Sequence, residues 1–221
     1  MNTFSVQLSG LTKAGAVKFL WMIQEECGHI VEHDVGYCRP LSSAAMNLSR
    51  AMFGPDSPEY GFACHTATAW AAPKDARQLQ LEVLRIARRN PNAETKLYMY
   101  LAWIGADLVR KKKFDAAALL ISEALDTLPA DDFCQWETLS EYVACLKAKG
   151  KVELWKFWSL WVHWLKAQWL KNGEHYPRPC MNAWAEYRKS GALIPPPDVS
   201  EYASKITIAA MTAEEKAVAV G

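Results

Sequence analysis

The residues of this chain best suited to chemistry are His29, Glu32 and His33, in the run His29-Ile30-Val31-Glu32-His33. On a helix the two imidazoles sit one turn apart and can grip a single Zn²⁺, with Glu32 placed to activate a bound water. A catalytic zinc needs a third protein ligand. Glu82, Glu94 and Glu123 are downstream carboxylates on predicted helices, and the sequence does not choose among them. A purely structural metal site is the neighbouring idea. Cys27, His29, His33 and Cys38 form a compact Cys/His group and Cys64-His65 adds two donors, although the spacing matches no standard zinc finger. The plain alternative is a helix end with exposed histidines and buried thiols. The basic run Arg110-Lys111-Lys112-Lys113 could meet phosphate or an acidic partner, but it falls on a predicted turn, where a solvated charge run is the default. There is no Gly-rich phosphate loop, GxSxG elbow or HExxH motif, and no cofactor is expected.

These residues have to be positioned by a folded scaffold. The chain has 221 residues, 51% of them apolar and 22% charged, a balance that supports a globular domain with a substantial core. Its net charge of +1 sets up no general attraction for nucleic acid or anionic membrane, so no nucleic-acid partner is expected. The first residues lack a basic cluster followed by an apolar run, and the six cysteines include no CxxC pair. The expectation is therefore no secretory leader, reduced thiols and a cytoplasmic location.

The hydrophobic pattern is helical almost throughout. Residues 3–9 alternate weakly, as a short strand would. From Thr12 the period changes, and Val17, Leu20, Trp21, Gln24, Cys27 and Val31 fall on one face of a helix over 13–33. Pro40 and the serines after it introduce a second helix, stopped by Gly54-Pro55. Ser57-Pro58-Glu59 starts a third, which Pro73 bounds, and residues 75–89 form a fourth that ends at Asn90-Pro91-Asn92. Paired helices follow near 93–110 and 114–128. The next, over 133–149, is capped by Asp131 and Asp132 and closed by Gly150. A long helix spans 151–171, a short one 181–190, and the Pro195-Pro196-Pro197 run is stiff and extended. The fold class is all-α, a helical domain over 1–194 followed by a Pro-rich linker, a last short helix near 198–211 and a frayed tail.

Residues 98–131 carry a more specific pattern. Gly105, Ala117, Ala124 and Pro129 are spaced as in a tetratricopeptide repeat, with Leu101, Ile104, Leu108 and Ile121 apolar where that repeat expects large side chains. The segment resembles one such helix–turn–helix unit. Small residues at Gly105 and Ala117 let two antiparallel helices approach closely, Ala124 leaves room for the neighbouring unit, and Pro129 ends the hairpin. Residues 136–169 fit the same frame through Leu139, Tyr142 and Leu146 but place Val143 and Trp155 at small-residue positions; residues 60–91 fit poorly apart from Pro91. The alternative is an ordinary hairpin in a non-repeat bundle. The resemblance implies a partner-binding face on the first helix of the pair, here Met99, Ala102, Ala106, Val109 and Arg110. Ala102 and Ala106 stand where some members carry Lys and Asn for a peptide carboxylate, so an apolar helix is the better fit. The His29–His33 run, in turn, resembles the HxxEH motif of inverted zinc peptidases, which are much larger proteins.

Residues 154–170 are unusually aromatic. Trp155, Trp158, Trp161 and Trp164 recur every third residue, Trp169 follows, and Lys156, Ser159, His163 and Lys166 share a narrow polar stripe. Such a helix is a central core element, an aromatic ridge that anchors a partner, or an interfacial membrane helix. Together these features point to a non-enzymatic adaptor or chaperone-like protein. It would dock an apolar peptide or helix on Met99, Ala102, Trp103, Ala106, Val109 and Arg110, helped by Trp158 and Trp161. A zinc-dependent hydrolase built on His29, Glu32 and His33, and an immunity-type or inhibitor protein with a charged binding face, are the alternatives.

Overall fold

A computed structural model of the chain describes residues 10–29, 35–91, 97–129, 135–172 and 178–197. Among the described residues the secondary structure is helical, with no strand. The short strand proposed for 3–9, the caps at Asp131 and Asp132, and the helix and tail beyond 197 lie outside the described residues. The chain divides into two compact units, with the boundary between Tyr100 and Leu101.

The first unit holds α1 (Lys13–His29), α2 (Val35–Phe53), α3 (Pro58–Thr68) and α4 (Pro73–Arg89). The Thr12 hydroxyl accepts the Gly15 amide at 3.1 Å and starts α1. The buried stripe of α1 is Ala16, Leu20, Ile23 and Cys27. The stripe through Val17, Trp21 and Gln24 read from the sequence is therefore rotated: Trp21 is 50% exposed, its ring 4.7 Å from Phe62. The two stripes share Leu20 and Cys27, and the one that wins contains no polar residue. It still leaves the Gln24 side-chain oxygen buried without a hydrogen-bond partner among the described residues.

The second helix begins at Val35, not at Pro40, which lies inside it. Its missing N–H leaves the Gly36 carbonyl without an intrahelical donor. The extra turn carries Cys38, fully buried in one cluster with Cys27 and Leu20, so burial of that single side chain offsets the break in the ladder. The Ser42 and Ser49 hydroxyls, also buried, donate back to the Arg39 and Ala45 carbonyls at 3.1 and 2.6 Å. Gly54, at φ +94°, ends α2. Ser57 caps α3 by accepting the Tyr60 amide at 3.2 Å, and Pro58 and Pro73 occupy the first turns of α3 and α4. The α2–α3 turn is tied to the end of α4 through Asp56, which accepts from Arg85 and, at 2.9 Å, from Arg89. The Arg85 guanidinium holds the Asp56 carboxyl below its ordinary range.

The second unit contains residues 101–110 of α5 (Leu97–Arg110), then α6 (Phe114–Thr127), α7 (Gln135–Ala148), α8 (Val152–Asn172) and α9 (Pro179–Ser190). Helices α5 and α6 meet at Gly105. A Cβ on that glycine would stand 2.5 Å from Cγ1 of Ile121. The close approach expected of Gly105 is present, but its nearest neighbour is Ile121; Ala117 and Ala124 are fully buried on the same helix. The α5–α6 and α7–α8 turns are built alike. Lys113 N–H donates to the Leu108 carbonyl and Lys112 N–H to Val109, as Lys151 donates to Leu146 and Gly150 to Lys147. Both are Schellman caps with a left-handed residue, Lys112 at φ +57° in one and Gly150 at φ +64° in the other. The basic run Arg110–Lys113 thus falls on a turn, as its position predicted.

The core of this unit is aromatic. Trp158, Trp161 and Trp164 of α8 pack with Leu139, Tyr142 and Leu146 of α7 and with Cys180 and Trp184 of α9. Trp158 meets the Trp184 and Tyr187 rings edge-on at 5.2 and 5.3 Å, and Tyr142 meets Trp184 at 5.0 Å. Each such pair adds about 0.5–1.5 kcal/mol to simple area burial. One carboxylate straps α9 to α6: Asp126 accepts from Trp184 Nε1 at 2.8 Å and from Arg188 at 3.0 and 2.9 Å.

Candidate functional site

Of the sequence-derived candidates, those on α5 share one face. Leu101, Ile104 and Gly105 are buried. At about 100° per residue, Trp103 and Arg110 project from the opposite side, flanked by Ala102 and Ala106. Trp103 is 39% exposed, Ala102 and Ala106 are half-buried, and Val109 packs its inner side on the aromatic core. Met99, half-buried, lies on the same helix before the unit boundary. The polar margin is set by Asp107, which accepts from Lys111 at 2.7 Å and faces Arg110 at 3.6 Å. These pairs are exposed on their cationic side and worth a few tenths of a kcal/mol.

Glu141 of α7 lies within electrostatic range of Arg110 and was not singled out from the sequence. It is half-buried, burial raises its carboxyl above the ordinary range, and the Arg110 charge partly offsets that rise. A signal for it existed. Glu141 holds the same place in the frame of residues 136–169 as Trp103 holds in 98–131. The face thus combines an indole, small side chains and a partly desolvated carboxylate beside a guanidinium. It can offer an aromatic anchor with a polar edge.

Trp158 and Trp161 do not join that face. Their indoles are 0% and 1% exposed within the core, so they act there as packing rather than as a ridge for a partner. The Trp161 Nε1 donates to the Ile194 carbonyl at 2.9 Å, whereas Trp158 Nε1 is buried with no hydrogen-bond partner among the described residues. On the polar stripe of the same helix, His163 and Lys166 are exposed.

The metal candidates are divided. The backbone of α1 ends at His29; Glu32 and His33, and the downstream Glu94, lie outside the described residues. Glu82 is engaged by Arg85 at 2.7 Å, and Glu123 is half-buried on α6. Among the described residues no group of three or more His, Cys, Asp or Glu side chains could hold a metal ion. Cys27 and Cys38 are buried in one apolar cluster with Leu20 and Ile23, and burial pushes the Cys27 thiol up to about 12. Cys64 is buried on α3 and pushed by burial to about 11, and desolvation lowers the neighbouring His65 to about 4. The first unit also has an open cavity of about 490 Å³ beside Arg39, Met46, Asp75 and Leu79. The Arg39 Nε there is already donated to the Trp70 carbonyl at 2.9 Å.

Comparison with protein-family models, curated proteins and solved structures finds no match. Among the described residues no helix is long and apolar enough to cross a membrane.

Proposed function

We propose that the second unit is a non-enzymatic interaction module of tetratricopeptide-like hairpins, whose α5 face takes an apolar helix or peptide from a protein partner. The observation that carries this reading is Trp103. A large indole stands 39% exposed on a helix whose other side is fixed to α6 through the Gly105–Ile121 approach. Partly exposed tryptophan on a rigid element is a strong interface anchor, because it adds contact area without first having to be ordered. The small side chains of Ala102 and Ala106 leave a shallow floor beside it, as an apolar helix requires. Repetition of the same cap at Lys112 and Gly150 supports two successive hairpins of one kind.

The test uses the full chain as bait in extract from its source cell. Ala106→Asp and Trp103→Ala should each lose the partner that the unaltered chain retains, with circular dichroism and melting temperature little changed. Arg77→Ala, remote in sequence and exposed on α4, should retain it. Undiminished recovery with folded Ala106→Asp refutes the proposal.

A further inference from the structure

The cavity of the first unit is walled by two helices that share one neighbour. Helix α3 packs on both α2 and α4. The bond from Arg39 Nε to the Trp70 carbonyl brings the end of α3 to the start of α2, and the bonds of Asp56 to Arg85 and Arg89 bring its start to the end of α4. Helices α2 and α4 therefore run in the same direction along opposite sides of one cleft. Each lines it with residues at i, i+3, i+4 and i+7, from Arg39 to Met46 on one wall and from Asp75 to Glu82 on the other. Between them lie Ala67, Ala71 and Ala72, whose short side chains leave the space open. At about 490 Å³ the cleft has the size of a small-molecule site.

The common direction of the walls sorts the lining into layers. Arg39 and Asp75 stand at the same end, one on each wall, and half-buried Leu79 and Met46 follow one and two turns further along. Glu82, at the far end, brings no free charge, because Arg85 donates to both of its oxygens at 2.7 and 2.8 Å. Arg39 and Asp75 are both exposed, and among the described residues neither enters an ion pair. The Trp70 carbonyl takes only Nε of Arg39, at 2.9 Å, which steadies the guanidinium and leaves its Nη pair to donate elsewhere. One cation and one anion on opposite walls, with apolar surface beyond them, match a molecule that carries a carboxylate, an ammonium and an apolar chain on one carbon. We infer that the cleft binds a free α-amino acid with an aliphatic or thioether side chain. Its carboxylate meets Arg39, its ammonium meets Asp75, and its side chain lies against Leu79 and Met46.

The experiment titrates L-leucine into the intact, isotopically labelled chain and follows its amide resonances. Leucine should bind with a Kd below about 1 mM, and the shifts should gather on Ala67, Ala71, Ala72 and Gln78, which line the cleft. N-acetyl-leucine lacks the ammonium and leucinamide lacks the carboxylate; each should bind at least about tenfold more weakly. Two variants then remove these preferences one at a time. Asp75→Asn should bind leucine about tenfold more weakly, and no better than it binds N-acetyl-leucine. Arg39→Gln, whose amide can still donate to the Trp70 carbonyl, should bind leucine no better than leucinamide. Three results overturn the inference: no shift with leucine or methionine at about 10 mM; an analogue that binds as tightly as leucine, which leaves one of the two charges without a role; or shifts that gather outside the first unit. The analogue comparison uses the unaltered chain and stands whether or not either variant folds.

Discussion

Replacing Gly105 with alanine sets two effects of opposite sign against each other. In a helix interior alanine is favoured over glycine by about 1 kcal/mol, so propensity alone makes Gly105→Ala stabilising. The new methyl, however, would sit 2.5 Å from Cγ1 and 3.3 Å from Cδ1 of Ile121, with the Ile121 backbone nitrogen at 3.6 Å. Carbon atoms pack at about 3.5–4.0 Å, so the first contact is short by about an ångström. Ile121 is fully buried and cannot swing into solvent. Relief has to come from an unfavourable rotamer or from α5 moving off α6, and such overpacking costs about 1–3 kcal/mol. A deficit of a full ångström belongs in the upper part of that range, for a net loss of about 1–2 kcal/mol. Thermal unfolding followed by tryptophan emission reports on the second unit, whose core holds Trp158, Trp161, Trp164 and Trp184. The midpoint should fall by about 5–10 °C. In the double variant with Ile121→Ala the added methyl should become harmless, giving a coupling energy of at least about 1 kcal/mol. A Gly105→Ala protein that melts higher than the parent refutes the close approach. Gly61→Ala, whose Cβ would meet Ile86 Cγ2 at 3.0 Å, should lose less.

Further outcomes follow from single residues. Lys112→Gly removes a side chain from a left-handed backbone position and should raise stability by about 0.5–1 kcal/mol, measured by urea unfolding at constant m value. Trp161→Phe breaks a buried hydrogen bond to Ile194, while Trp158→Phe deletes a buried N–H that has no hydrogen-bond partner among the described residues; the first should be more destabilising than the second by about 1 kcal/mol or more in the same assay. His65 is held near pKa 4 in the fold, against about 6.5 in the unfolded chain. The unfolded state binds more protons across that interval, so stability should rise with pH from about 4 to 6.5, by at most about 3 kcal/mol, and be flat above it. In His65→Phe, denaturant unfolding across that pH series should lose most of this slope, and an unchanged slope counts against burial of the imidazole.

Helix boundaries were legible in the sequence wherever a local device sets them. Ser57 and Pro58 open α3 and Gly150 closes α7, because each acts within a few residues of itself. Pro40 misled for the opposite reason. The rule that proline starts helices is local, whereas the turn before it is held by Cys38 packing on α1, a contact the sequence does not display. The α1 stripe was ambiguous between two faces sharing Leu20 and Cys27, and only the neighbouring helices decide which one is covered. Gly105 was read as a point of close approach, and its nearest neighbour is the Ile121 side chain, because helix rotation is set by the packing of whole side chains. At the candidate site, the α5 residues could be placed on one face from periodicity alone. The roles of Trp158 and Trp161 could not, because an aromatic helix that lines a core and one that meets a partner have the same composition. Glu141 was recoverable only by carrying the frame of 98–131 forward into a degenerate neighbour.

The bond from the Trp161 indole to the Ile194 carbonyl has a practical consequence. It ties the run beyond α9 to the middle of the densest aromatic layer by a proton that nuclear magnetic resonance can observe by itself. That proton should exchange with deuterium far more slowly than the one on half-exposed Trp103 for as long as the run stays seated. Its loss ahead of the other indole signals would mark peeling of the strap as a separate, early event in denaturation.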